Sequence, residues 1–393
     1  MKPTNPIFTG LPTTIFEVMS RLAVETGAIN LGQGFPDVDG PEEIRRAAAD
    51  ALMAGPNQYP SMMGIPELRR AVAESNRRFH GLDVDWQSEV MVTSGATEAI
   101  CDSILGLVSP GDEVVLIEPL YDCYLPIVRQ AGGIPKLVRI APPTWTIDPD
   151  QLAAAFSDRT KAIVINTPMN PAGKVFTEAE LQLIADLCQK HDAYVIADEV
   201  YEHLVYDGRR HLSPMALPGM RERVVRIGSA GKTFSLTAWK IGYVTAPPHL
   251  LAPIAKVHQF VTFTTPPDLQ AAVARGLRLG DDYYEGFAAG LAAKRDRLSA
   301  GLADLGFEVL PSAGTYFVTT DVGPLGIADD REACLTMTRE AGVAAVPVSA
   351  FYASDPPTNY IRFCFCKRDE VLDEALERLG RWLKTGRKSA ATG

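Results

Sequence analysis

The sequence predicts an α/β protein with a large unit built on a mostly parallel seven-stranded sheet between helices, and a smaller α+β unit after it. Three observations carry this expectation. Seven short runs rich in β-branched residues recur along the first two thirds of the chain: EVMVT from Glu89, EVVLIE from Glu113, KLVRI from Lys136, KAIVIN from Lys161, AYVIADE from Ala193, RVVRIGS from Arg223 and KIGYVTA from Lys240. Several are apolar almost throughout, as befits strands covered on both faces. Helical patterns separate many of them, and alternation of strand with helix argues for parallel pairing.

The helices have readable starts. Pro66 opens one, with Leu68, Val72, Ser75 and Phe79 on a single stripe. Thr177 caps another, with Glu180 at the spacing of a capping box. A long, charged, alanine-rich run from about Asp281 to Leu305 marks the boundary between the units. Beyond it FEVL, GTYFVTT, VAAVP and YIRFCFC read as short strands of the smaller unit. The stretch before Pro41 is expected to hold few regular elements and to wrap onto that unit or a neighbouring subunit. The expected division is therefore 1–40 for an N-terminal arm, 41–285 for the large domain and 286–393 for the small one.

Composition narrows the function classes. With 46% hydrophobic and 22% charged residues the chain has the makeup of a folded globular protein. Its formal net charge of −10, without a basic stripe interleaved with aromatics, argues against a nucleic-acid partner. The one basic cluster, at Arg381, Lys384, Arg387 and Lys388, reads as a solvated, frayed tail. Six cysteines at no metal-ligand spacing suit a reduced, cytoplasmic protein, and no run of apolar residues is long enough to span a membrane.

In an open α/β sheet, ligands gather beyond the carboxyl ends of the strands, so the loops there are where chemistry is expected. Ser94, Gly95, Ala96 and Thr97 turn the first strand into a helix whose free N–H groups suit a phosphate. Tyr121, in EPLYDCY, stands where a ring could cover a flat cofactor, although a packed tyrosine fits the same position. NTPMNPAGKVF sets Asn166 and Asn170 in a proline-stiffened loop, which is turn chemistry or an amide donor to an anionic oxygen. Asp198 closes a strand expected to be buried, where a carboxylate requires either a structural ion pair or a protonated ligand, and Tyr201 follows within reach. GSAGKTF delivers Ser229 and Lys232, with Lys240 eight residues on. A lysine in such a pocket gives up its proton more readily than one in water, as a Schiff-base amine must.

GSAGKT also ends like a phosphate-binding loop of nucleotide hydrolases. That motif needs a glycine where Arg226 stands, and it precedes its acidic strand, whereas Asp198 comes before Lys232. A non-catalytic binding protein would leave the buried carboxylate, the amine and the phosphate cradle without a purpose.

Taken together, SGATEA, EPLYDCY, NTPMNPAGKVF, ADEVY and GSAGKTFSLTAWKIGY resemble, in order and spacing, the class I/II aminotransferases, which are pyridoxal-phosphate enzymes of fold type I. The similarity runs from LGQGFPD near residue 31 to YIRFCF near residue 360, and several segments most resemble the kynurenine, glutamine and methionine aminotransferases. The resemblance implies pyridoxal 5'-phosphate on Lys232, Asp198 on the pyridine nitrogen, and Asn170 and Tyr201 on the ring oxygen. It further implies Tyr121 on the ring face, and the phosphate held by Gly95, Ala96, Thr97, Ser229 and Lys240. Tyr59 would reach in from the second subunit of a homodimer. Arg362 and Gly34 would meet the substrate carboxylate, with Phe16 and Ile15 in an apolar wall that hints at methionine, glutamine or aromatic donors. Lys240 stands where many relatives carry arginine, and Met169 replaces a common asparagine or histidine, which should alter the neighbouring surface. The expected reaction is ping-pong transfer of an amino group from an L-amino acid to a 2-oxo acid. The same site also suits β-elimination from cysteine conjugates or cystathionine.

Overall fold

The structure is a computed structural model that describes residues 2–390, with side chains through residue 384. The seven expected strands form one sheet: β1 (Val90–Ser94), β2 (Glu113–Glu118), β3 (Ile134–Arg139), β4 (Thr160–Asn166), β5 (Tyr194–Asp198), β6 (Val224–Ser229) and β7 (Ile241–Thr245). Their spatial order is β1-β7-β6-β5-β4-β2-β3. The pairs β3–β2–β4–β5–β6 are all parallel, whereas β7 runs antiparallel to both β6 and β1. The connection Ala230–Lys240 explains the reversal, being shorter than the dozen or more residues a parallel crossover needs.

Alternate residues of the strands serve different cores. Val115, Ile117, Val195 and Ala197 join one apolar cluster, and Val114, Leu116 and Ile196 join another on the opposite face. Successive side chains of a strand point to opposite faces, so a sheet sandwiched between helices must be apolar at both parities. The helix Pro66–His80 covers the first face through Leu68, Ala71 and Val72. The helix Glu178–Lys190 begins with the expected capping box of Thr177 and Glu180.

The long run forms the helix Asp281–Asp304. After it come β8 (Glu308–Val309), β9 (Phe317–Asp321), β10 (Val346–Pro347) and β11 (Tyr360–Cys364), an antiparallel sheet in the order β10-β11-β9-β8. A third apolar cluster lies here, and it includes Met19, Ala23 and Leu31 from the N-terminal stretch. That stretch is more regular than the sequence reading expected. It holds the helix Ile15–Thr26, capped by the Thr14 hydroxyl at the Glu17 N–H and closed by Gly27 in the left-handed region, and its Ile29–Asn30 pairs with Val343–Ala344. Met169 is 2% exposed, so it faces the core and not the surface proposed for it. Arg381 and Lys384 lie on the helix Asp369–Ala390, where a frayed tail was expected, while the side chains of Arg387 and Lys388 lie outside the described residues. No described helix is long and apolar enough to cross a membrane.

Candidate active site

Strand direction gathers the functional side chains on one edge of the large sheet. Asn166 and Asp198 are direct partners in the β4–β5 register, so both side chains emerge together at the carboxyl ends. The Asn166 amide donates to the Asp198 carbonyl at 3.0 Å, and its Oδ1 accepts from the Asn170 N–H at 2.7 Å, which fixes the proline-bounded loop above the strand. Because β7 is antiparallel, its first residue lies at this same edge. Ile241 pairs with Ser94, and Lys240 therefore sits beside the start of the helix Gly95–Leu107. Gly95 has φ +76°, and a Cβ there would meet the Lys240 Nζ at 3.2 Å. The first N–H groups of a helix have no intrahelical partner, so Gly95, Ala96 and Thr97 present donors to the space that Lys240 and Ser229 also border.

Asp198 is 4% exposed and belongs to no ion pair among the described residues. The Tyr124 hydroxyl donates to its Oδ2 at 2.5 Å, and the Val200 N–H reaches Oδ1 at 3.4 Å. Burial raises the Asp198 pKa to about 6, against the opposing pull of the Tyr124 hydrogen bond and the Lys232 charge. Burial likewise depresses the Lys232 pKa, while nearby Cys366 and Asp198 resist that shift. The amine lies 5.8 Å from the ring centres of both Tyr201 and Tyr316. Burial raises the Tyr201 pKa, so its hydroxyl stays protonated and can donate.

Arg362 comes from β11 of the smaller sheet and is fully buried. Its Nη1 donates to the Asn170 Oδ1 at 2.7 Å and its Nη2 to the Gly32 carbonyl at 2.5 Å. The guanidinium lies 3.9 Å from the Phe317 ring centre and 5.3 Å from that of Phe16. Its Nε is buried without a hydrogen-bond partner. A buried cation with a free donor and no facing carboxylate is a site prepared for an anion.

The protein-family comparison matches residues 26–379 to aminotransferase class I and II. The chain belongs to that family. A probable N-succinyldiaminopimelate aminotransferase of Mycobacterium tuberculosis is 46% identical over 378 residues, covering 93% of this chain and 95% of the relative. The methionine aminotransferase of Escherichia coli is 42% identical over 369 residues, covering 94% and 96%. The solved structure of the M. tuberculosis N-succinyldiaminopimelate aminotransferase superposes with a TM-score of 0.94 at 45% identity, covering 97% of this chain and 100% of that one.

This aminotransferase is a pyridoxal-phosphate-dependent enzyme of fold type I. Its donor set suits that cofactor. Helix N–H groups, a hydroxyl and an ammonium that could hold a phosphate border the same cavity as a buried carboxylate with no ion pair among the described residues and a buried amine. Arg226, the side chain that spoils the nucleotide-loop reading, is buried between Glu199 and Glu202 and holds no phosphate cradle.

Of the site residues named from the sequence, all but Ile15, Ser94 and Tyr59 line one cavity of ≈ 370 Å³. Those from the large sheet are Gly95, Ala96, Thr97, Tyr121, Asn170, Asp198, Tyr201, Ser229, Lys232 and Lys240, and Phe16, Gly34 and Arg362 come from the rest of the chain. Tyr59 lies elsewhere, 83% exposed and edge-on to Phe263. The sequence reading missed Tyr124, which the EPLYDCY motif presents one helical turn after Tyr121, and Gln33, which also lines the cavity. It also missed Tyr316, whose hydroxyl donates to the Gly34 carbonyl at 2.6 Å.

Proposed function

We propose that Lys232 carries the cofactor and moves the Cα proton, and that the enzyme takes L-amino acids with uncharged side chains as donors. One observation carries this reading: Lys232, Asp198, which has no ion pair among the described residues, and Arg362, whose Nε lacks a hydrogen-bond partner there, line a single cavity. Bound pyridoxal phosphate supplies an aldehyde for the amino group and a ring that accepts the electron pair left at Cα. When that cofactor is bound, Asp198 would hold the proton of its ring nitrogen. Tyr124 and the Val200 N–H keep that carboxylate charged despite burial. Tyr201 and Asn170 would donate to the ring oxygen, Tyr121 would cover the ring, and the Gly95–Thr97 N–H groups, Ser229 and Lys240 would hold the phosphate. Arg362 takes the substrate carboxylate, with Gly34 beside it, and so turns the Cα–H bond toward Lys232. Burial depresses the proton affinity of Lys232, which favours the neutral amine that would accept the Cα proton.

The donor preference rests on which charges line the cavity. Its cations are Lys232, Lys240 and Arg362, each with a task, while Asp122 adds a negative charge and Phe16 and Tyr121 add apolar surface. A second donor carboxylate finds no further cation among the described residues that line the cavity. Methionine, glutamine and aromatic donors fit better than aspartate, and the relative acting on methionine supports the same choice. A panel of these donors, with N-succinyldiaminopimelate added, ranks them by kcat/KM. A preference for aspartate or for N-succinyldiaminopimelate, each with carboxylates beyond the one Arg362 takes, would overturn the charge argument. Lys232→Ala should retain the fold by circular dichroism and lose both turnover and the cofactor's visible absorbance.

The same proposal includes a homodimer. Tyr59, Phe260, Val261 and Phe263 are exposed apolar residues close in the fold, a surface for a second copy to cover. Tyr59 then reaches the partner's phosphate. Mixing Lys232→Ala with Tyr59→Phe subunits should yield hybrids with one intact site and partly restored activity. The three-part division at 40/41 and 285/286 also belongs to this reading, supported by the separate apolar clusters. So does a cytoplasmic location, supported by six free cysteines.

A further inference from the structure

We propose that Cys364 and Cys366 form an oxidant-sensitive dithiol whose closure loosens the grip of Arg362 on the substrate carboxylate. The two sulfurs lie 3.1 Å apart and both side chains are buried. A disulfide requires about 2.05 Å, so an approach of about 1 Å closes the bond. Cys364 ends β11, the strand that carries Arg362 two residues earlier. Residues two apart on a strand face the same side, so the segment that must move to close the bond is continuous with the one that aims the guanidinium. Both Nη contacts of Arg362 are short and single, and the backbone Cys364 N–H is itself bonded to the Leu31 carbonyl at 2.7 Å. A shift of the strand end therefore reaches the Gly32 contact through two routes.

The pair is reachable without entering the main cavity. A second pocket of ≈ 190 Å³, lined by Pro36, Val38, Phe287, Leu291 and Lys367, ends on Cys366. Burial opposes ionisation of Cys364, yet the hydrogen bond with Cys366 and the charges of Lys367 and Arg362 outweigh it and bring its pKa down to about 7. Burial pushes the Cys366 thiol up, so the shared proton rests on Cys366, and its transfer to Cys364 across the 3.1 Å contact frees the sulfur of the residue that lines the pocket to attack.

The oxidant is a hydroperoxide. The Cys366 sulfur attacks its terminal oxygen, an S–O bond forms, the O–O bond breaks, and the departing oxygen takes a proton to become water or an alcohol. Cys364 then attacks the Cys366 sulfur, forming the S–S bond and expelling hydroxide, which leaves as water with the remaining proton. Two thiols are oxidised and one hydroperoxide is reduced. Closure also removes negative charge from beside Lys232, whose ammonium form both cysteines favour.

The test treats the holoenzyme with hydrogen peroxide and follows intact mass, peptide maps and steady-state kinetics together. The protein should lose the mass of two hydrogen atoms, with the bond mapped to Cys364 and Cys366. KM for the amino donor should rise about tenfold, the loss of one charge-assisted hydrogen bond. Dithiothreitol should reverse both changes. Cys366→Ser should lose both the bond and the peroxide-induced rise in KM. A gain of oxygen in place of the bond, a bond elsewhere, or an unchanged KM in the cross-linked enzyme overturns the proposal. The kinetic arm rests on the role given to Arg362, whereas the mass and mapping arm stands without it, so the two failures are distinguishable.

Discussion

Replacing Asp198 with asparagine should make the cofactor-free protein more stable while crippling its hold on the cofactor. The carboxyl is 4% exposed, and burial lifts its pKa from the ordinary 3.8 to about 6. Between these values the unfolded chain has released the proton and the folded chain still holds it. Stability from the protonated group is therefore complete below pH 4 and is lost as pH rises through 6. The gap corresponds to about 3 kcal/mol, at about 1.4 kcal/mol for each tenfold change in proton affinity. Asparagine is close in size, can accept the Tyr124 hydroxyl, and carries no charge to bury. Urea unfolding of the stripped protein, followed by circular dichroism at pH 5 and pH 7.5, measures the effect. Asp198→Asn should exceed the parent by about 3 kcal/mol at the higher pH and by about half of that at the lower. A variant no more stable than the parent at pH 7.5 would show that the charge is not held at a cost, and the account of why the site needs a protonated ligand would fail with it.

Three further outcomes follow from single contacts. Tyr124→Phe removes the 2.5 Å hydrogen bond to Asp198 and should weaken cofactor affinity about tenfold, read by absorbance titration, with a larger deficit below neutral pH as Asp198 takes up its proton. Arg362→Lys cannot serve Asn170, Gly32 and a carboxylate together, so KM for the donor should rise about 10- to 100-fold while kcat falls less. Thr177→Ala removes the cap of a helix remote from the site and should lower stability by about 1 kcal/mol with KM unchanged.

What the sequence disclosed and what it concealed divide along physical lines. The strands are legible because both faces are covered, and a run such as KAIVIN has few other places to go. Thr177 and Glu180 announce a helix start because capping is a local, four-residue event. Thr14 and Glu17 carry the same spacing, and Gly27 closes the helix they open, but short flanking loops rich in proline and glycine masked the pattern. Tyr124 was hidden for a different reason. Its partner, Asp198, is 74 residues away, and a tyrosine in EPLYDCY gives no local sign of which carboxylate it will meet. The Cys364–Cys366 contact is local, yet two cysteines separated by one residue fit an inert strand equally well until both sulfurs are seen on one side.

The reversed strand β7 shows why motif order and site geometry differ. In a wholly parallel sheet only the loops that follow strands reach the ligand edge, and Lys240, which precedes its strand, would lie on the far side. The short Ala230–Lys240 connection forces the chain straight back, so one segment delivers two cations to the same edge: Lys232 as it leaves β6 and Lys240 as it enters β7. The register of β7 against β1 then aligns Lys240 with Gly95, at a distance where a Cβ would already crowd the ammonium. Lengthening that connection by a full crossover would leave both motifs intact in sequence and still separate the amine from the phosphate cradle. The site thus depends on the brevity of one loop as much as on the residues it carries.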